Sequence, residues 1–153
     1  EDLLGKMEGD RVGLVAFAGN SFLQCPLTLD YDAFRQSLDA LDTKIIPRGG
    51  TDLAAAIHET EAAFEENGNN ERILVLLTDG EDLEGNALDA ARAAAKNGLK
   101  IFTVGVGSAS GELIPALDEA GGTQFTKDAS GQFVKSRLDE TMLQQVAEAT
   151  GAM

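Results

Sequence analysis

Cysteine occurs once in the 153 residues, at Cys25, so an intramolecular disulfide and a cysteine-built zinc cluster are both excluded. Its setting, "FLQCPL", is apolar and predicts a buried, inert thiol. Basic residues are also scarce: 12 Lys and Arg stand against 26 Asp and Glu, for a formal charge of -14. Such a surface repels phosphate backbones and anionic lipid heads, which argues against nucleic acid as a partner. The acidic residues are scattered rather than blocked, as on a solvated anionic surface, and the partners they leave open are a cation or a basic protein patch. No run approaches the roughly 18 to 20 consecutive apolar residues of a membrane helix, so this segment is not expected to insert directly into a bilayer. The opening "EDLLGKMEGD" lacks the basic start and apolar centre of a signal peptide, which puts any export or anchoring signal outside these residues. Internal repeats, linkers and shifts of composition are missing too, and one domain spanning 1–153 is the expectation at this length.

What is present alternates between strand and helix. "RVGLVAFA" (Arg11 to Ala18), "RILVLLT" (Arg72 to Thr78) and "KIFTVGVG" (Lys100 to Gly107) read as strands. The second is apolar almost without alternation, which predicts a strand covered on both faces, as in a parallel sheet between helix layers. "SFLQCPLT" follows the first strand after the short turn "AGN" and predicts an antiparallel hairpin with it. Helical stripes lie between: Phe34, Leu38 and Leu41 in Asp30 to Leu41, with Asp30 as N-cap, then Leu53, Ile57, Thr60 and Phe64 ahead of the breakers "NGNN". "NALDAARAAAKNG" predicts a helix from Asn86 to Gly98, and Leu143, Val146, Ala147 and Thr150 give a last amphipathic face. Before it, "TQFTKDASGQFVKS" predicts a hairpin turning at "DASG". The alternation implies an α/β layered fold with a largely parallel sheet and one antiparallel edge hairpin. Both ends read as cut: Leu3, Leu4 and Met7 have helical spacing closed by Gly9 with no cap before them, and the final helix stops at "TGAM" with no strand after it.

The stretch "ILVLLTDGED", Ile73 to Asp82, drives a buried strand straight into Asp79, Glu81 and Asp82. In parallel α/β sheets, ligands gather at the carboxyl ends of strands, where helix N-termini present free N–H groups. Asp79 is therefore either a ligand-binding carboxylate at the rim or ordinary Asp-Gly turn chemistry. A second polar signal is "PRGGTDLAAAI", Pro47 to Ile57, where two glycines allow close backbone approach before a helix opens. Thr51 there is either a second site residue or the N-cap of that helix.

Taken together, "DRVGLVAFAG", "PLTLD", "GGTDL" and "LLTDGED", in this order with helices between, resemble the von Willebrand factor A domain family. The later "VGVGS", "ELIP", "DASGQFVKSRLDE" and "ATG" resemble its bacterial Bat (aerotolerance-type) branch. The resemblance implies a three-layer Rossmann-like fold and a metal-ion-dependent adhesion site built from three loops. The first loop supplies Asp-x-Ser-x-Ser, the second a Thr and the third an Asp. Thr51 matches the second and Asp79 the third, while no Asp-x-Ser-x-Ser occurs anywhere in the sequence. In the family that motif lies on the first, central strand, which would precede this chain and sit between the strands holding Val15 and Leu76. Its loss predicts two open hydrogen-bonding edges and much exposed apolar surface, and hence instability, strand exchange with a neighbour, or a fragment of a longer protein. Mg2+, which prefers oxygen ligands and keeps waters readily, is the ion that suits Thr51 and Asp79, weakly or not at all without the first loop; other divalent ions are compatible.

The resemblance implies a non-enzymatic protein-binding module whose ion accepts an Asp or Glu from a protein partner. It also implies a parent anchored in the bacterial inner membrane with a periplasmic domain, working beside MoxR-type ATPases and related proteins of the family. Two other functions stay open: a Mg2+-dependent phosphoryl-transfer or hydrolytic enzyme using Asp79, Glu81 and Asp82, and a structural module without metal. The first of these lacks parts, since there is no Walker A lysine loop and no evident nucleophile and base pair. "VGVGSASGE" has the wrong glycine spacing for a dinucleotide loop, and His58 reads as a partly exposed structural residue.

Overall fold

The computed structural model describes residues 4–43, 45–64, 70–117, 123–127 and 130–152. Strands β1 (Val12–Phe17) and β2 (Ser21–Thr28) form the expected antiparallel hairpin. Helix α1 (Tyr31–Asp39) starts where a carboxylate can cap it: the Ala33 N–H donates to Asp30 Oδ1 at 3.0 Å. Helix α2 (Leu53–Ala63) leads to strand β3 (Arg72–Thr78), then helix α3 (Ala87–Lys96) and strand β4 (Leu99–Gly105). Short strands β5 (Glu112–Leu113), β6 (Pro115–Leu117), β7 (Thr123–Phe125) and β8 (Lys135–Ser136) precede helix α4 (Glu140–Ala149).

The parallel pair is β3–β4, with Leu74 beside Ile101 and Leu76 beside Thr103. β5 pairs antiparallel with β8, and β6 with β7. The hairpin expected from "TQFTKDASGQFVKS" is visible as the antiparallel bridge of Lys127 with Phe133 and the Val134 N–H donating to the Thr126 carbonyl at 2.9 Å. Its turn residues 128 and 129 lie outside the described set, as do Leu3 and most of "NGNN". The first helical spacing yields a single 3-10 turn, Leu4–Lys6, closed by Gly9 at φ +82.

The core lies where α2, α3 and α4 press on one face of β3–β4. Leu53 and Ile57 of α2, Leu76 of β3, Leu99 and Ile101 of β4 and Val146 of α4 form one buried cluster. Ala87, Ala90, Ala91 and Ala94 put small side chains on one stripe of α3, so that helix is buried among the others at close range. Each fully buried Leu or Ile here contributes roughly 1.5–3 kcal/mol over exposure. Thr60, the buried polar residue of α2, satisfies its hydroxyl on the Ala56 carbonyl at 2.8 Å. Cys25 is buried as expected.

β3 departs from the two-sided burial its sequence predicts. Leu76 and Thr78 are buried, but Ile73, Val75 and Leu77 are 47%, 41% and 60% exposed. β4 follows in register, with Phe102 beside Val75 and Val104 beside Leu77, both also exposed. The physical reason is the single helix layer: among the described residues, α2, α3 and α4 cover only the other face. The two larger sheets are also separate, and neither β1 nor β3 pairs with a strand on its second edge among the described residues. Phe17 of β1 nevertheless packs on the same cluster as Leu74 and Leu76, so α2 bridges the hairpin and the parallel pair.

Candidate functional site

Several loops meet at the carboxyl ends of β1, β3 and β4, and backbone hydrogen bonds stitch them together. Gly19 N–H donates to the Arg48 carbonyl at 3.1 Å and Asp52 N–H to the Ala18 carbonyl at 2.8 Å, holding the loop after β1 against the one before α2. Gly19 has to be glycine here, because a Cβ would meet the Gly49 carbonyl and Arg48 Cγ. Leu83 N–H donates to the Thr51 carbonyl at 3.1 Å, tying the Thr51 segment to the loop that carries Asp79. Val106 N–H donates to the Thr78 carbonyl at 2.9 Å and Asp139 N–H to the Asp79 carbonyl at 2.7 Å, bringing in the loop after β4 and the start of α4.

The helix cap at this rim is Asp52, not Thr51. The Ala55 N–H donates to Asp52 Oδ1 at 2.8 Å, so the capping role open to Thr51 on sequence alone belongs to its neighbour. The signal was present in the sequence as an acidic residue directly before Leu53, the first helical position. Thr51 is left half-buried at the rim with its hydroxyl free of that duty.

Asp79, also half-buried, does perform turn chemistry: its Oδ1 accepts from Glu81 N–H at 3.2 Å, around Gly80 at φ +82. Its Oδ2 accepts from the Ser136 hydroxyl at 2.6 Å. Glu81 accepts the Arg137 N–H on Oε1 at 3.1 Å. Asp82 Oδ2 accepts from Ala87 N–H at 2.8 Å and so caps α3, for which Asn86 offers no side-chain bond. The other oxygen of Asp82, Oδ1, is buried without a partner among the described residues. The three carboxylates of "DGED" are thus spent in different directions, each on a donor of this chain. An open cavity of about 460 Å³ adjoins Glu81 alone of the three, and is otherwise lined by Ala109 and residues 137–141. His58 is exposed and faces Glu61 at 3.5 Å.

Among the described residues no group of three or more His, Cys, Asp or Glu side chains is arranged to hold a metal. The donors that do occur at the rim, the Thr51 hydroxyl and the Asp79 carboxylate, are hard oxygen ligands of the type Mg2+ takes, but two fall well short of its roughly six positions. In type they fit such an ion; in number they do not complete its site.

The von Willebrand factor type A domain family matches residues 1–147. The chain belongs to this family. An aerotolerance-related membrane protein from Bacteroides fragilis superposes with a TM-score of 0.90 at 34% identity, over 98% of this chain and 73% of that one. The conserved hypothetical protein BatB from Bacteroides thetaiotaomicron gives a TM-score of 0.90 at 33% identity, covering 98% and 72%. An uncharacterized protein of Borreliella burgdorferi is 28% identical over 156 residues, 98% of this chain and 42% of its own length. The chain therefore spans less than half of that curated relative. The Bat-type resemblance read from the motifs and the Rossmann-like α/β fold of this domain family, with its parallel pair and antiparallel hairpin, are both established by these matches. Domains of this family commonly mediate protein–protein interaction, some through a metal-ion-dependent adhesion site. The Bacteroides fragilis neighbour is a membrane protein, and among the described residues of this domain no helix is long and apolar enough to cross a membrane.

Proposed function

We propose that this domain is a non-enzymatic protein-binding module in which Thr51 and Asp79 hold a divalent ion, Mg2+ by preference, that recognises an acidic residue of a partner. The carrying observation is the pairing of loops at one rim: Leu83 N–H on the Thr51 carbonyl joins the two segments, and Asp52 takes the capping role that would otherwise explain Thr51. An ion bound there supplies an open coordination position for a carboxylate. Thr51 offers a neutral hydroxyl and Asp79 one negative charge, which leaves the ion net positive and suited to an Asp or Glu. The remaining ligands, in this reading, come from an Asp-x-Ser-x-Ser segment on a strand lying between β1 and β3. Two separate sheets bridged by α2, each with an open edge among the described residues, support that placement. The domain is then one unit within a longer protein that is anchored in the inner membrane with this part periplasmic, acting beside a MoxR-type ATPase or related family members.

The enzymatic alternative finds little support. Asp79, Glu81 and Asp82 each accept hydrogen bonds from chain donors and point to different neighbours, rather than converging on one metal or one water. The purely structural alternative makes a different prediction from ours. In the full-length protein, Thr51→Ala and Asp79→Ala should each abolish Mg2+-dependent capture of the partner while leaving the folded circular-dichroism spectrum intact. Undiminished capture by both variants favours the structural module.

A further inference from the structure

The Asp79 carboxylate is held from a segment 57 residues further along the chain. Ser136, the last residue of β8, donates its hydroxyl to Asp79 Oδ2 at 2.6 Å, the short separation of a hydroxyl bonded to an ionised carboxylate. On the other side Oδ1 takes the Glu81 N–H at 3.2 Å and lies 3.5 Å from the Thr78 hydroxyl. With one oxygen pinned by its own loop and the other by Ser136, the carboxylate cannot rotate without breaking a bond. Each oxygen of an ionised carboxylate has about two acceptor positions, so Oδ1 already faces two donors while Oδ2, bonded to Ser136, keeps a position for a cation.

Ser136 is itself firmly seated. Immediately after it, Arg137 N–H donates to Glu81 Oε1 at 3.1 Å, Leu138 N–H to the Ser108 carbonyl at 3.1 Å, and Asp139 N–H to the Asp79 carbonyl at 2.7 Å. Asp139 then caps α4 through Met142 N–H, and α4 is fixed in the core by Leu143 and Val146. The close approach explains Gly80: a Cβ there would lie 2.7 Å from the Asp139 carbonyl oxygen. Residues 136–139 therefore form a strap from the core helix to the Asp79 loop, and Ser136 is its contact with the carboxylate.

We infer that Ser136 is a positioning residue that sets the orientation of the Asp79 carboxylate for cation binding, an inference that rests on the metal-site reading above. A hydrogen-bonded neighbour of a ligating carboxylate typically accounts for 10- to 100-fold in metal affinity, by orienting the ligand before the ion arrives. The opposite role, a latch that occupies the oxygen the ion needs, predicts the opposite sign.

The test uses the full-length protein with Mn2+ as probe, followed by electron paramagnetic resonance, for wild type, Ser136→Ala and Ser136→Thr. Ser136→Ala should weaken Mn2+ binding by about 10-fold or more while Ser136→Thr, which keeps the hydroxyl, restores most of it. In the metal-free protein the Asp79 carboxyl carbon resonance should shift in the alanine variant and return in the threonine variant. Equal or tighter Mn2+ binding by Ser136→Ala overturns the inference, as does a lowered melting temperature with unchanged affinity of the folded protein. A wild-type protein that takes up no Mn2+ overturns the metal-site reading instead, and the positioning role goes with it.

Discussion

The two faces of the β3–β4 pair are built from equally apolar residues, yet they end in opposite environments. One carries Leu76, Leu99 and Ile101, each at most 3% exposed under α2, α3 and α4. The other carries Ile73, Val75, Leu77, Phe102 and Val104, all between 39% and 60% exposed. Scattered exposed apolar residues are ordinary on any protein, but five on one face of two paired strands are not. The difference shows that the strand sequence meets the demands of a sheet covered on both sides, while the described helices supply one cover.

The sharpest way to break that comparison is to truncate matching residues on the two faces. Leu76→Ala should cost about 2–5 kcal/mol in urea unfolding of the 153-residue chain, because it opens a cavity under α2. Leu77→Ala, one residue on, should change stability by less than about 0.5 kcal/mol in the same chain, as exposed substitutions do. Equal costs would show that the two faces are not different after all.

A smaller contrast separates the neighbours at the rim. Asp52→Ala should lower stability by about 1 kcal/mol through loss of the α2 cap. Thr51→Ala should fall within about 0.5 kcal/mol of wild type in the same denaturation experiment, since no cap depends on it. The reverse order would return Thr51 to a structural role.

These contrasts mark where the sequence was readable. Local signals carried well: Asp30 caps α1, β2 runs over the eight residues "SFLQCPLT", and Leu143 and Val146 face the core, because capping and amphipathic periodicity depend on near neighbours. The apolar run of β3 marked a strand, but whether its second face is covered depends on which helices pack there, which composition does not encode. Choosing between Thr51 and Asp52 as cap turned on one position, and adjacent capping residues compete on nearly equal terms. Asp82 reached past Asn86 to cap α3 from five residues away, a bond no capping pattern describes. Ser136 was illegible altogether: a serine in a short strand has no distinguishing spacing, and its partner lies 57 residues earlier. For the proposed site, the motifs name Thr51 and Asp79 as candidates, while the bond from Ser136 to Asp79 required the tertiary fold.

The most direct measurement of the central claim, that Thr51 and Asp79 share one ion, is nuclear magnetic resonance of the 15N-labelled full-length protein titrated with Mn2+. Paramagnetic broadening should reach the amides of Thr51, Asp79 and Gly80 first and together, before those of the acidic surface at Glu59 or Asp89. Broadening that begins at Glu59 or Asp89 and spares Thr51 and Gly80 would contradict the account.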